Sequence, residues 1–208
     1  MDINNTGGVY AITDCVNNTF AEVIEKSEII LEVGIALFQY RNKTTDKNLK
    51  NNLAQELQSL CAKHNTPFIV NDDLELATEI EADGIHLGKH DIDIQTAKIH
   101  FANKIIGISC YNSYEQAVIA EQEGASYIAF GAFFPSSTKP DALKADINLI
   151  NKAKEKLTIP GVAIGGITPE NGNQLINAKI DYLAVINGLY STPNTRKAAL
   201  AYKDLFIK

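Results

Sequence analysis

Residues 159–189 read IPGVAIGGITPENGNQLINAKIDYLAVINGL, and this stretch holds one complete structural unit. Apolar runs at 162–165 and 182–186 flank a segment whose hydrophobic spacing is helical from 169 to 177. Each run is nearly continuous in Val, Ala, Ile and Leu, as in a strand buried on both faces. Pro169 stands in the first turn of the helix, where its missing N–H forfeits no hydrogen bond. Strand, helix and strand in this order make a parallel pair with a right-handed crossover. Where each strand ends the chain turns glycine-rich and polar, with GGIT after the first and NGL after the second.

The same unit recurs along the whole chain. Further strands are expected at 9–13, 35–40, 68–71, 84–87, 105–109 and 127–131. Their C-terminal ends carry ITD at 12–14, QYRNK at 39–43, NDD at 71–73, HLGKHD at 86–91, IGIS at 106–109 and FPSSTKP at 134–140. Helical spacing occupies 48–63, 73–81, 114–123, 147–156 and 195–207. In 48–63 the apolar face is Leu49, Leu53, Leu57, Leu60 and Cys61; in 195–207 it is Ala198, Leu200, Ala201, Leu205 and Phe206. Eight such units predict an α/β fold, a single (β/α)8 TIM barrel over 1–208, with working residues on the loops after the strands. An open doubly wound sheet is the rival. It would concentrate ligand groups at one switch point, and no GxGxxG follows the first strand.

With 208 residues, the chain is near the lower size limit for such a barrel, roughly 200 residues. The formal charge of −6, without a basic run, speaks against nucleic-acid binding. No apolar run spans a bilayer and no signal peptide opens the chain, so a cytoplasmic protein is expected. Cys15, Cys61 and Cys110 are odd in number and widely spaced, which argues against disulfides and zinc.

Three groups of residues carry chemistry. Gly165 and Gly166 precede the helix opened by Pro169, and VINGL supplies a second turn on the adjacent loop. Loops after the seventh and eighth strands commonly hold a phosphate in barrels, through backbone N–H groups and a helix start. Arg41, Lys43 and Lys139 are cations at the same rim of an acidic chain, suited to a diphosphate. Asp72 and Asp91 suit Mg2+, which takes one or two carboxylates and completes its shell with water and substrate phosphate. Each reading has a plainer counterpart. Glycines make turns, Lys and Arg are usually solvated, Asp72 with Glu75 reads as a capping box, and Asp91 reads as a cap of the next helix. Asp73 is assigned to helix initiation, and His86, inside an apolar strand, to a hydrogen-bonded core position. No GxSxG, P-loop or HExxH occurs. With no evident nucleophile, the site orients ligands and stabilises leaving-group charge.

Read in order, YAITD, QYRNK, NDD, ADGIHLG, IGIS, YIAFGAFFPSSTKP and IPGVAIGGIT resemble the thiamine-phosphate synthase family over nearly the whole barrel. The resemblance implies a transferase that joins 4-amino-2-methyl-5-hydroxymethylpyrimidine diphosphate to hydroxyethylthiazole phosphate, with Mg2+, by a dissociative mechanism. It implies Lys43, Ser109 and Lys139 as catalytic, and Gln39, Tyr40, Arg41, Asn42, Lys43, Asn71, Ser109 and Lys139 around the pyrimidine diphosphate. Ser136, Ser137, Thr138, Gly166, Ile186 and Asn187 would hold the thiazole phosphate, with closure of the 134–140 loop excluding water. Asp72 and Asp91 would hold Mg2+. The partners implied are these two small molecules, with no nucleic acid or membrane, and a homodimer by likeness alone. The chain departs from the family pattern at Ser136 (usually Thr), Lys89 (usually Gln) and VING at 185–188 (usually a VSAI-like turn). Alternative readings are a thiazole tautomerase of the same fold and a non-catalytic ligand-binding barrel. Retained QYRNK, NDD and Lys139 favour the synthase.

Overall fold

The computed structural model describes Ile3, residues 7–136 and residues 143–207. Eight parallel strands close on themselves in sequence order, β1 to β8, with β1 paired to both β2 and β8. They are β1 (Gly8–Ile12), β2 (Leu37–Tyr40), β3 (Phe68–Asn71), β4 (Gly84–Leu87), β5 (Ile105–Tyr111), β6 (Tyr127–Gly131), β7 (Gly161–Ile164) and β8 (Tyr182–Val185). The helices are α1 (Phe20–Val33), α2 (Lys47–Lys63), α3 (Leu74–Glu79), α4 (Ile94–His100), α5 (Tyr114–Glu123), α6 (Asn148–Lys156), α7 (Pro169–Asn177), α8 (Asn187–Tyr190) and α9 (Thr195–Asp204). The expected (β/α)8 barrel is the observed fold.

Strand alternation divides the apolar residues into two layers. Tyr10, Ile12, Leu37, Ile69, Ile105, Tyr127, Ala129, Val162, Tyr182 and Ala184 fill the barrel interior. The opposite faces, with Val9, Ala11, Phe38, Tyr40, Phe68 and Val70 among them, pack under the helices. This double burial is why the strands read as unbroken apolar runs.

Helix α1 lies outside the sequence expectations. Its signal is local: Thr19 accepts from Glu22 N while the Glu22 carboxylate accepts from Thr19 N, a capping box, and Gly34 ends the helix in the left-handed region. Asp73 opens α3 as expected, accepting from Leu76 N at 3.0 Å, so the plainer capping reading of Asp72 fails; that of Asp91 fails too, because Asp93 caps α4 by accepting from Thr96 N at 2.7 Å. Two helix faces also differ from expectation. Leu49 is exposed at the start of α2, while Leu53, Leu57 and Cys61 are buried. Helix α9 turns Thr195, Ala199 and Tyr202 inward and leaves Leu200 outside, because Tyr202 reaches across to donate to Ile167 O at 2.9 Å.

Candidate active site

The rim at the C-terminal strand ends is tied together by bonds between neighbouring loops. Thr13 Oγ1 accepts from Arg41 N at 2.8 Å and donates to Arg41 O at 3.1 Å, so the loop after β1 holds the start of the QYRNK loop. Asp14, buried in that first loop, accepts from Val16 N and from the Asn17 amide. Lys43 reaches across from β2 to pair with Asp72 after β3. Asn71 Nδ2 donates to the same Asp72 oxygen at 2.7 Å. Asp72 N donates to His86 O at 2.9 Å, which joins this corner to β4. Asp72 has a φ of 57°, a left-handed conformation that aspartate tolerates better than most residues. The Lys43–Asp72 pair is partly open to solvent, at 52% and 23% side-chain exposure, so a ligand can reach it.

Asp91 lies on the next loop and is exposed. Its Oδ2 accepts from Gly88 N at 2.6 Å, and Tyr111 OH accepts from Lys89 N at 3.1 Å. Among the described residues no group of three or more His, Cys, Asp or Glu is arranged to hold a metal. The donor set offered by Asp72 and Asp91 is two carboxylates on adjacent loops. Such hard oxygen donors fit a magnesium ion that takes its other ligands from water and substrate phosphate.

The neighbours of Gln39 serve different ends. Tyr40 faces the helix layer, donating to Lys50 O at 3.0 Å and accepting from Asn42 Nδ2 at 2.8 Å. Asn42 Oδ1 accepts from Thr44 N at 3.0 Å, so Tyr40 and Asn42 shape the loop from below. Gln39 points the other way, into the barrel, and is 2% exposed. Its Nε2 donates to Tyr10 OH at 2.8 Å; Tyr10 OH is 2.7 Å from Tyr127 OH; Tyr127 OH is 2.9 Å from His86 Nδ1; His86 Nε2 is 2.8 Å from Ser109 Oγ. This chain crosses the barrel interior from β2 to β5. The core reading of His86 holds, with a hydrogen bond at each ring nitrogen. Tyr10 and Tyr127 were hidden within apolar runs. Their signal was strand parity, because both fall on the inward phase with Gln39, His86 and Ser109.

Across the rim, the loops after β6 and β7 run together. Phe133 N donates to Ile164 O at 3.1 Å and Phe134 N to Gly165 O at 3.0 Å. Gly166 has a φ of 60°, and a Cβ there would collide with the carbonyl oxygens of Phe134 and Pro135. Thr168 caps α7 in a reciprocal pair with Asn171, whose Nδ2 donates to Gly166 O at 2.9 Å. Ile186 and Asn187 stand where β8 passes into α8. Gly188 answers a packing demand more than a turn, since a Cβ there would collide with Tyr202 OH. Ser136 is described and partly buried; Ser137, Thr138 and Lys139 lie outside the described residues. A groove of about 470 Å³ between α1 and α2, lined by Phe20, Ile24 and Leu60, carries none of these residues.

The thiols contribute no nucleophile. Burial pushes Cys110 up to about 12, and burial also raises Cys15, whose Sγ donates to Thr13 Oγ1. No helix among the described residues is long and apolar enough to cross a membrane.

The family model described as thiamine monophosphate synthase matches residues 9–189. The chain belongs to that family. It is 46% identical to the thiamine-phosphate synthase of Methylobacillus flagellatus over 200 residues, covering 96% of this chain and 95% of that one. It is 44% identical to the Nitrosococcus oceani thiamine-phosphate synthase over 200 residues, covering 96% and 92%. Among solved structures, the thiamine phosphate pyrophosphorylase of Pyrococcus furiosus superposes with a TM-score of 0.87 at 31% identity, covering 97% of this chain and 96% of that one. The protein is therefore an enzyme of the transferase class, and its expected family membership stands.

Proposed function

We propose that this enzyme joins 4-amino-2-methyl-5-hydroxymethylpyrimidine diphosphate to hydroxyethylthiazole phosphate, with Mg2+, yielding thiamine phosphate and pyrophosphate. One observation carries the reading beyond the family name. The cation–carboxylate corner at Lys43 and Asp72 adjoins a polar barrel mouth bearing Gln39, Asn71 and Ser109. That arrangement offers a diphosphate a charged seat beside a buried edge able to grip a heterocycle.

The bond that breaks joins the pyrimidine methylene carbon to the diphosphate oxygen, and its electron pair leaves with pyrophosphate. The aminopyrimidine stabilises the resulting cation, and the lone pair of the thiazole nitrogen forms the new carbon–nitrogen bond. No proton has to move and no protein nucleophile is needed, in keeping with the raised thiols. Arg41 and Lys43 take up leaving-group charge as it develops, as would Lys139; this is where preorganised cations lower a barrier. Gln39, Asn71 and Ser109 orient the ring. Asp72 and Asp91 would hold Mg2+, which when bound neutralises diphosphate charge. Ser136, Gly166, Ile186 and Asn187, with Ser137 and Thr138, seat the thiazole phosphate.

The deciding experiment is pyrophosphate release by purified enzyme with each substrate and Mg2+ omitted in turn. Product only with all three supports the coupling reaction. Rearranged thiazole without any pyrimidine would replace it with the tautomerase reading, and binding without turnover with the non-catalytic one.

A further inference from the structure

The chain from Gln39 to Ser109 has a direction as well as a path. Gln39 Nε2 is the donor to Tyr10 OH. Among the described residues, the Tyr10 proton then has Tyr127 OH as its acceptor, at 2.7 Å. Were Tyr10 to accept from both sides, its own O–H would be left buried without a partner, and such groups are rare in folded proteins. Tyr127 accordingly donates to His86 Nδ1, and the remaining ring proton, on Nε2, goes to Ser109 Oγ. Burial raises the pKa of both tyrosines, which keeps these hydroxyls neutral and able to pass the polarity on. The ring geometry supports the same path: Tyr10 meets Tyr127 edge-on at 5.8 Å, and His86 stacks on Tyr127 at 5.6 Å.

We infer that Tyr10, Tyr127 and His86 are positioning residues that set the hydrogen-bond polarity of the barrel mouth, leaving Gln39 to offer its carbonyl oxygen and Ser109 its hydroxyl proton to one planar ligand. This rests on the proposed coupling reaction and deepens it. A ring carrying an exocyclic amino donor and a ring-nitrogen acceptor matches an outward acceptor at Gln39 and an outward donor at Ser109. A ring with a carbonyl in place of the amino group would set two acceptors face to face at Gln39. Specificity for an aminopyrimidine over an oxopyrimidine would thus be decided by residues beneath the ligand as well as by those touching it. A glutamine held by no such chain could rotate its amide and accept either ring.

The test has an arm independent of turnover. With 15N-labelled histidine, and the His86→Gln variant to assign the signal, the Nε2-protonated tautomer of His86 is expected; the Nδ1-protonated form would overturn the inference. The second arm compares the 4-amino pyrimidine diphosphate with its 4-oxo analogue in pyrophosphate release. The unaltered enzyme is expected to prefer the amino substrate by roughly 100-fold or more. Tyr127→Phe and Tyr10→Phe, which keep the rings and cut the chain at different joints, should reduce that preference to below about tenfold while KM for the thiazole phosphate stays put. Undiminished discrimination in whichever variant folds would overturn the inference. An unaltered enzyme that releases no pyrophosphate, yet shows the expected tautomer, would refute the coupling reaction and leave the polarity standing.

Discussion

The ring of Tyr127 fills the space that a side chain at Gly107 would occupy. The two residues are register partners on β5 and β6, and a Cβ built on Gly107 would collide with Cζ and the hydroxyl of Tyr127. Glycine is required here to let an aromatic side chain lie inside the barrel, level with His86 on β4. Gly107→Ala is expected to cost about 1–3 kcal/mol of stability, the usual penalty for overpacking a filled core. It should also lower turnover further than the loss of folded protein explains, since Tyr127 must move away from Tyr10 and His86. Urea melts beside a pyrophosphate-release assay, corrected for folded fraction, test both parts. A variant as stable as the parent would mean that the interior has slack enough to take the methyl group.

The Lys43–Asp72 pair makes a second prediction. Asp72 is gripped from two sides, by Lys43 and by Asn71 Nδ2, and it ends β3 in a left-handed conformation. Asp72→Ala removes a proposed metal ligand and releases Lys43 from its resting partner. Pyrophosphate release should fall by at least about 100-fold, equivalent to roughly 2.7 kcal/mol of barrier. Lys43→Ala should fall comparably, whereas Asp72→Asn should regain part of the rate at raised Mg2+. Asp72→Ala turning over like the parent would remove Asp72 from the metal site.

The barrel was legible because double burial writes each strand as an unbroken apolar run, and all eight strands were expected within two residues of where they lie. Rim residues were legible because they follow those runs immediately. What escaped was the interior: nothing in GVYAI or YIAFG distinguishes a tyrosine packed as apolar mass from one whose hydroxyl joins a chain. That distinction depends on strand parity and on a glycine of the adjacent strand, which a local pattern cannot convey. The cap of α4 lies two residues beyond Asp91 for a related reason. In NDD and HDID several aspartates have the right chemistry, and backbone geometry alone selects Asp73 and Asp93. Helix α1 shows the opposite case, where a capping box at Thr19 and Glu22 stated the start outright. Thr19→Ala should cost about 1 kcal/mol and leave KM for both substrates unchanged.

Acid sensitivity should come in part from Glu121. Its carboxylate accepts from Thr158 N at 2.6 Å, Thr158 Oγ1 at 2.9 Å and Ile159 N at 3.1 Å, pinning the segment before β7 to α5. Burial works to raise its pKa, but the three bonds outweigh it and hold the carboxyl below the usual range. A folded value below the unfolded one, about 4.3 for Glu, means that the contribution is present above that pH and lost as pH falls through the folded value. The urea midpoint should therefore be level from about pH 7 to 5.5 and decline below roughly pH 4.3. Glu121→Gln should lower the midpoint at pH 7 and flatten the acid decline, and a parallel curve for this variant would assign the decline to other carboxylates.

Gly166 offers a test that separates the two halves of the site. Its φ of 60° disfavours any side chain, and a Cβ would press on the carbonyls of Phe134 and Pro135, where the loops after β6 and β7 meet. The described residues proposed for the pyrimidine side come from β2 to β5 and the loops that follow them, with Lys139 alone expected from the loop after β6. Gly166→Ala should therefore raise KM for the thiazole phosphate about tenfold or more while leaving KM for the pyrimidine diphosphate within about twofold. Equal increases in both constants would mean that the two loops are coupled through the barrel. An unchanged thiazole-phosphate constant would take Gly166 out of the binding site and leave its glycine explained by the Phe134–Pro135 contact alone.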